Sequence, residues 1–377
     1  MFIARQTLIT YAPVKVGLML TDAPEHRMIE FRSDFLARPT PEMIEAMVRA
    51  AEKPSGFGLR EDPTVLQLET LAADILKKQD ALFTPTCMMA NQIAMHLHSR
   101  AGEIILTEAE AHVVTSESAA VSALSGVMPR LLPAVNGALD TESLVAALRP
   151  VDFQRARPAS VLQENTHVRS GGRVIPLKHM RKVYDVAKVH DVSVHLDGAR
   201  IFNAATALTC PASEIAAQAD TVSFNLNKGL CAPIGAILAG PSELIVEAER
   251  VRQMFGGGWR PAGVLAAAGI VALETMIGRL GEDHAQARNL AEGLMPQQNV
   301  VVDAAATETN IVLVKPVSMS PMYLAEELAK RGVHVLPFGE FVRLVTHREI
   351  DEDAVEATLE AFRGALDGEH NGVSARS

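Results

Sequence analysis

The chain of 377 residues is 48% hydrophobic and 21% charged, enough for one large domain plus a smaller one and incompatible with extensive disorder. Its 35 basic and 45 acidic residues give a net charge of -10 with no Lys/Arg-rich block, which argues against nucleic acid and anionic membranes as partners. Three scattered cysteines, Cys87, Cys210 and Cys231, form neither a disulfide framework nor a zinc site and fit a reducing cytoplasm. Near the start, VKVGLML (14–20) is too short to cross a membrane and lacks a small-residue cleavage site. Residues 1–27 read as an extension, or as an overcalled start, with the folded body opening at Met28.

Helical and strand-like segments then alternate. Residues 64–79 carry a helical apolar stripe, 81–83 are strand-like, and 91–100 return to helix. The runs 103–107, 130–134 and 159–164 read as buried strands. A helix over 177–190 leads into the strand SVHLD, and strands follow at 221–227 and 234–240. This order predicts an α/β domain with a largely parallel sheet over residues 28–274. From 263 to 280 the sequence reads as one long Ala-rich helix. Strands at 310–314, 333–338 and 342–347 and helices near 321–331 and 352–365 predict a small α+β domain over 275–366. Residues 367–377 form a polar tail expected to fray.

Sheets of this kind bind ligands beyond the carboxyl ends of their strands. The strand SVHLDGAR ends on Asp197 and Arg200, and SFNLNK places Lys228 after the next strand. Burying such charges without partners is costly. A carboxylate, an arginine and a lysine at one sheet rim suit pyridoxal phosphate (PLP) chemistry. A lysine amine can react with the cofactor aldehyde, a carboxylate can keep the ring nitrogen protonated, and an arginine can grip an amino-acid carboxylate with two parallel hydrogen bonds. On spacing alone, three solvated charges are the commoner explanation of the pattern. His195 and Asp197 form no metal pair, since no third ligand is apparent.

The stretches HLDGARIFNA and SFNLNKGLCAPIGAILAG, together with RSDFLARPTPEM (32–43), EDPTVLQLE (61–69), MANQIA (89–94), ENTH (164–167), GGGWRPAGVLAAAG (256–269) and VRLVTH (342–347), resemble the threonine aldolase family. These are aspartate-aminotransferase-like, fold type I PLP enzymes, and the likeness covers about residues 28–365. The resemblance implies that Lys228 is the lysine that bonds the cofactor and Asp197 the partner of its ring nitrogen. It implies that His112 stacks on the ring with Glu117 behind it, and that Ser33, Arg200 and Arg343 hold the substrate carboxylate. Arg260 would reach the cofactor phosphate of a neighbouring subunit, making the protein a dimer or, typically, a tetramer.

Three departures stand out. Thr86, Cys87 and Met88 replace the family's Ser-Gly-Thr phosphate cradle, so a hydroxyl is lost at Met88 and Cys87 is expected to need a conformation natural to glycine. Gln253 replaces a phosphate-neutralising lysine, and Asn227 and Cys231 flank Lys228 where Ser and Gly are common. Gln154 or a neighbour replaces a histidine that touches the β-hydroxyl, and Phe57 a tyrosine; both positions are expected to line the side-chain pocket. The resemblance implies cleavage of a β-hydroxy-α-amino acid, threonine-like or bulkier, to glycine and an aldehyde. Its rivals are β-elimination, racemisation or transfer on the same scaffold, and a non-catalytic homologue.

Overall fold

The computed structural model of the chain describes residues 28–149 and 153–372. The expected extension 1–27 lies outside the described residues.

The central sheet has seven strands in the order Asp80–Thr84, Ala236–Gly240, Thr221–Asn225, Ser193–Asp197, Pro158–Glu164, Ile104–Glu108 and Met128–Leu132. Ala236–Gly240 runs antiparallel to both neighbours, and every other pairing is parallel. Every residue of Ile104–Glu108, Pro158–Glu164 and Thr221–Asn225 is buried, as expected where helices cover both faces of a sheet. Local chemistry sets the helix starts. Asp62 accepts from Thr64 N and Val65 N ahead of the Pro63–Leu76 helix, which carries proline in its first turn. Thr40 caps Pro41–Ala51 by accepting from Met43 N. That helix, Ile201–Leu208 and Ser242–Met254 are absent from the sequence reading, their short apolar stripes being masked by alanine and charge.

The expected helix at 263–280 is the first part of a longer run. Gly263–Val271 passes through a π-helical turn, Ala272–Met276, and a 3-10 turn before continuing as Leu280–Leu294. By composition this run is long and apolar enough to cross a membrane, but Ala266, Ala268, Ala272 and Leu280 are fully buried in the core of the protein.

Beyond it, Val300–Val302, Ile311–Pro316, Phe341–Val345 and Leu336–Phe338 form a four-stranded antiparallel sheet in that order. The last helix, Glu352–Gly372, extends into the segment expected to fray. The opening residues fold back here. Ile29–Glu30 pairs in parallel with Val333–His334, and Ile29 and Phe31 pack into a second core with Leu290, Val312 and Phe362. Although residues 28–31 open the span expected for the large domain, the side chains of Ile29 and Phe31 are buried in the second core.

Candidate active site

Asp197 ends its strand, and the turn after it is held tightly against the next strand. Gly198 N donates to Ser223 O at 2.9 Å, and a Cβ at Gly198 would stand 2.8 Å from that oxygen. Ala199 N donates to Asp197 Oδ1 at 3.0 Å, after which Arg200 opens the Ile201–Leu208 helix. Lys228 follows Thr221–Asn225 in the adjacent loop. These strand ends face a cavity of about 470 Å³ that Ser33, Cys87, Met88, His112, Asp197, Arg200, Lys228 and Arg343 all line. The smaller domain closes it with Leu336 and Phe338.

The arginines differ in what they can do. Arg200 is buried and donates through Nε and Nη2 to the two carboxylate oxygens of Asp34, at 2.8 and 2.7 Å. That pairing uses one edge of the guanidinium, Nε and Nη2, while Arg200, assigned by resemblance to the substrate carboxylate, still lines the cavity. Burial alone would raise the Asp34 carboxyl, but the Arg200 guanidinium outweighs burial and holds it well below the usual range. Arg343 donates from Nη2 to Arg32 O at 3.0 Å, while its buried Nε has no partner among the described residues. Burial and then Arg200 push its pKa down to about 10. Burial, reinforced by Arg200, also lowers the pKa of the Lys228 amine.

On the opposite wall, His112 Nδ1 meets Glu117 Oε1 at 2.8 Å, and Glu117 is completely buried. Burial works against a charged imidazole, but Glu117 and Asp197 prevail and raise the His112 pKa. His112 N donates to Glu164 Oε2 and Val168 N to Glu164 Oε1, at 2.7 and 2.8 Å. Glu164 stands beside Asp197 in strand register, and burial followed by Asp197 raises its pKa.

The third wall is the start of the Cys87–His98 helix, where Thr86 Oγ1 accepts from Met89 N at 3.1 Å. The first backbone amides of a helix lack intrahelical partners and attract anions. Cys87 is an ordinary first-turn helical residue, so the expected glycine-like conformation is not required there. It is required at Cys231, whose φ is +63°. Arg260 lies elsewhere in the chain. Its guanidinium covers the Phe57 ring at 5.2 Å, and with Gln253 it lines a separate cavity. Phe57 and Gln154 are exposed and do not line the 470 Å³ cavity, which corrects the expectation for both; residues 150–152 lie outside the described residues.

Asp34, Asn91 and Glu164 escaped the sequence reading as individuals. All three sit within stretches it quoted, and strand pairing of Glu164 with Asp197 was the available signal. Asp34 and Asn91 carried none, because their partners are 166 and 106 residues away.

A family model described as beta-eliminating lyase matches residues 30–316. The chain belongs to that family. The probable low-specificity L-threonine aldolase 2 of Arabidopsis thaliana is 38% identical to this beta-eliminating lyase family member over 346 residues, 89% of this chain and 96% of its relative. A threonine aldolase of Leishmania major superposes with a TM-score of 0.77 at 19% identity, covering 90% of this chain and 99% of the other. A serine palmitoyltransferase from S. paucimobilis with bound PLP–myriocin gives 0.71 at 18% identity, covering 90% and 88%. These likenesses show the fold, the type I arrangement expected from the sequence.

Proposed function

We propose that the protein is a PLP-dependent aldehyde-lyase that cleaves a threonine-like β-hydroxy-α-amino acid to glycine and an aldehyde. The observation that carries this reading is one cavity lined by Lys228, Asp197 and His112 with an incompletely paired arginine, Arg343, at its far side. The residues fit the cofactor: a lysine whose pKa is lowered, a carboxylate at a strand end, and a helix start with amides for a phosphate. PLP, when bound, supplies an aldehyde for amines and a ring that takes up the electrons of a broken Cα–Cβ bond.

The chain's own residues do the rest. Lys228 presents an amine that loses its proton more readily than an ordinary lysine. Asp197 would accept from the protonated ring nitrogen. Arg343 takes the α-carboxylate, with Ser33 beside it, while Arg200 is kept in place by Asp34. His112 would stand beside the cofactor ring; Glu117 fixes its Nδ1, which would leave Nε2 to accept the β-hydroxyl proton. Thr86, Cys87 and Met88 would hold the phosphate at the helix start. A second copy of the chain would bring its Arg260 to the site, and the free thiols Cys87, Cys210 and Cys231 support a cytoplasmic setting.

The test is product analysis of protein saturated with PLP and offered L-threonine, L-allo-threonine and phenylserine. Equal amounts of glycine and aldehyde are expected from at least one. A 2-oxo acid with ammonia would replace this reading by β-elimination, which the family's description also supports. The lowered Lys228 pKa adds a sign. The neutral amine is the nucleophile, so the rate of PLP capture should rise with pH and level off below the ordinary lysine value of 10.5. Stopped-flow absorption across pH 6–10 measures it, and a rate still climbing in the ordinary lysine manner at pH 10 would contradict it.

A further inference from the structure

Asn91 is buried in the Cys87–His98 helix, and its side-chain amide can point only one way. Its nitrogen donates to Asp197 Oδ2 at 2.7 Å and to Glu117 Oε1 at 3.0 Å. Its oxygen accepts from Ser223 Oγ at 2.6 Å and lies 3.1 Å from His195 Nε2. Ionised carboxylates only accept, so the nitrogen end must face them. His195 Nε2 must then carry a proton, and its Nδ1 accepts from Thr221 Oγ1 at 2.9 Å. Having given its hydrogen to His195, Thr221 Oγ1 accepts from His98 Nε2 at 2.7 Å. Burial lowers the pKa of His195 to about 3 and that of His98 to about 4, so each ring is neutral with a single proton to place. The order of donors and acceptors from Asp197 to His98 has one solution.

We infer that Asn91 is the positioning residue of this site, a single amide that bridges the Asp197 and Glu117 carboxylates and holds them side by side. One ring nitrogen of His112 and one carboxylate oxygen each of Glu117 and Asp197 all lie within 4.8 Å of one another, so like charges meet at close range and a shared donor between them is favourable. Around the amide stand Glu117 and His112 from one segment, Asp197 and His195 from the central strand and Ser223 from the next. Cys87 lies one turn earlier on its own helix, and Lys228 faces Asp197. Through Asp197 the amide sets the group assigned to the cofactor ring nitrogen; through Glu117 it sets His112. Gln92 Nε2 serves Glu117 Oε2 alone, at 2.6 Å. The catalytic consequence rests on the PLP reading; the hydrogen-bond order does not.

Two measurements test this. Long-range 1H–15N spectra of histidine-labelled, cofactor-free protein at pH 7 should show His195 and His98 neutral and protonated on Nε2; a proton on His195 Nδ1 overturns the assignment. PLP affinity is then read by visible absorption at pH 8 and 6, each variant against wild type at the same pH. Asn91→Leu and Asn91→Asp should bind at least tenfold more weakly at pH 8, and Gln92→Leu within threefold of wild type. At pH 6 Asn91→Asp should recover at least threefold, because a protonated carboxyl again offers one donor, whereas Asn91→Leu should not. Wild-type affinity in Asn91→Leu, or the same pH response in both Asn91 variants, overturns the proposal. If wild type itself develops no band with PLP, the cofactor reading has failed, and the histidine tautomers alone decide the role of Asn91.

Discussion

Replacing Asp34 by alanine lowers the stability of this protein by about 3–5 kcal/mol, the loss typical of leaving a buried charge without its partner. Asp34 is completely buried, and Arg200, nearly so, reaches it with two hydrogen bonds while Asn310 Nδ2 adds a third at 3.3 Å. Arg200 is buried at the helix start, so its guanidinium would be left largely desolvated and without its main partner. Removing both charges at once, as in Asp34→Leu with Arg200→Met, should cost clearly less than the sum of the single changes, since the pair's own desolvation penalty is lifted. The sign with pH follows from the depressed Asp34 pKa. Its contribution is complete above the unfolded value near 3.8 and is lost as pH falls through the lower folded value. Urea unfolding of the four proteins at pH 7 measures the cycle. A single-variant loss under about 1 kcal/mol would mean that Arg200 finds another partner or reaches water.

Lys228→Ala should abolish the visible PLP band and reduce turnover at least about a thousandfold, because one amine both bonds the cofactor and moves protons. The same change should leave the fold as stable as wild type or more so. The Lys228 amine makes no hydrogen bond among the described residues, and burial beside Arg200 already disfavours its charged form. Alanine removes a destabilised cation and strands no partner. Activity and thermal stability measured together separate this outcome from simple unfolding. Retained turnover would remove Lys228 from the mechanism, and a large loss of stability would show that it has a structural task instead.

Much of this was legible in the chain. The strands around Asp197 and Lys228 announced themselves because buried parallel strands are short, apolar and separated by helices, and the family likeness then named the positions at the rim. What local pattern could not reveal is pairing over long separations. Nothing near Arg200 says that its partner is Asp34, and nothing near Asp197 says that Asn91 will hold it. Glycine replacements were misjudged for the same reason. Cys87 looked strained where an ordinary helix begins, while Cys231 carries the left-handed backbone. Arg260, Phe57 and Gln154 likewise stand away from the cavity, which nothing in their local sequence discloses.

The backbone of residues 30–32, just ahead of Asp34, is pinned by the far end of the sequence. Val345 N donates to Phe31 O at 2.9 Å, Arg343 Nη2 to Arg32 O at 3.0 Å, and His347 Nε2 meets Glu30 O at 2.8 Å. A growing polypeptide therefore emerges from the ribosome with Asp34 early and Arg200 much later, but gains the clamp that fixes Asp34 only once residue 347 has been made. Before that, residues 30–32 lack the contacts that hold them in the finished protein. Enzymatic competence in this protein is a property of the finished chain, and no amino-terminal fragment ending before that last strand should acquire it.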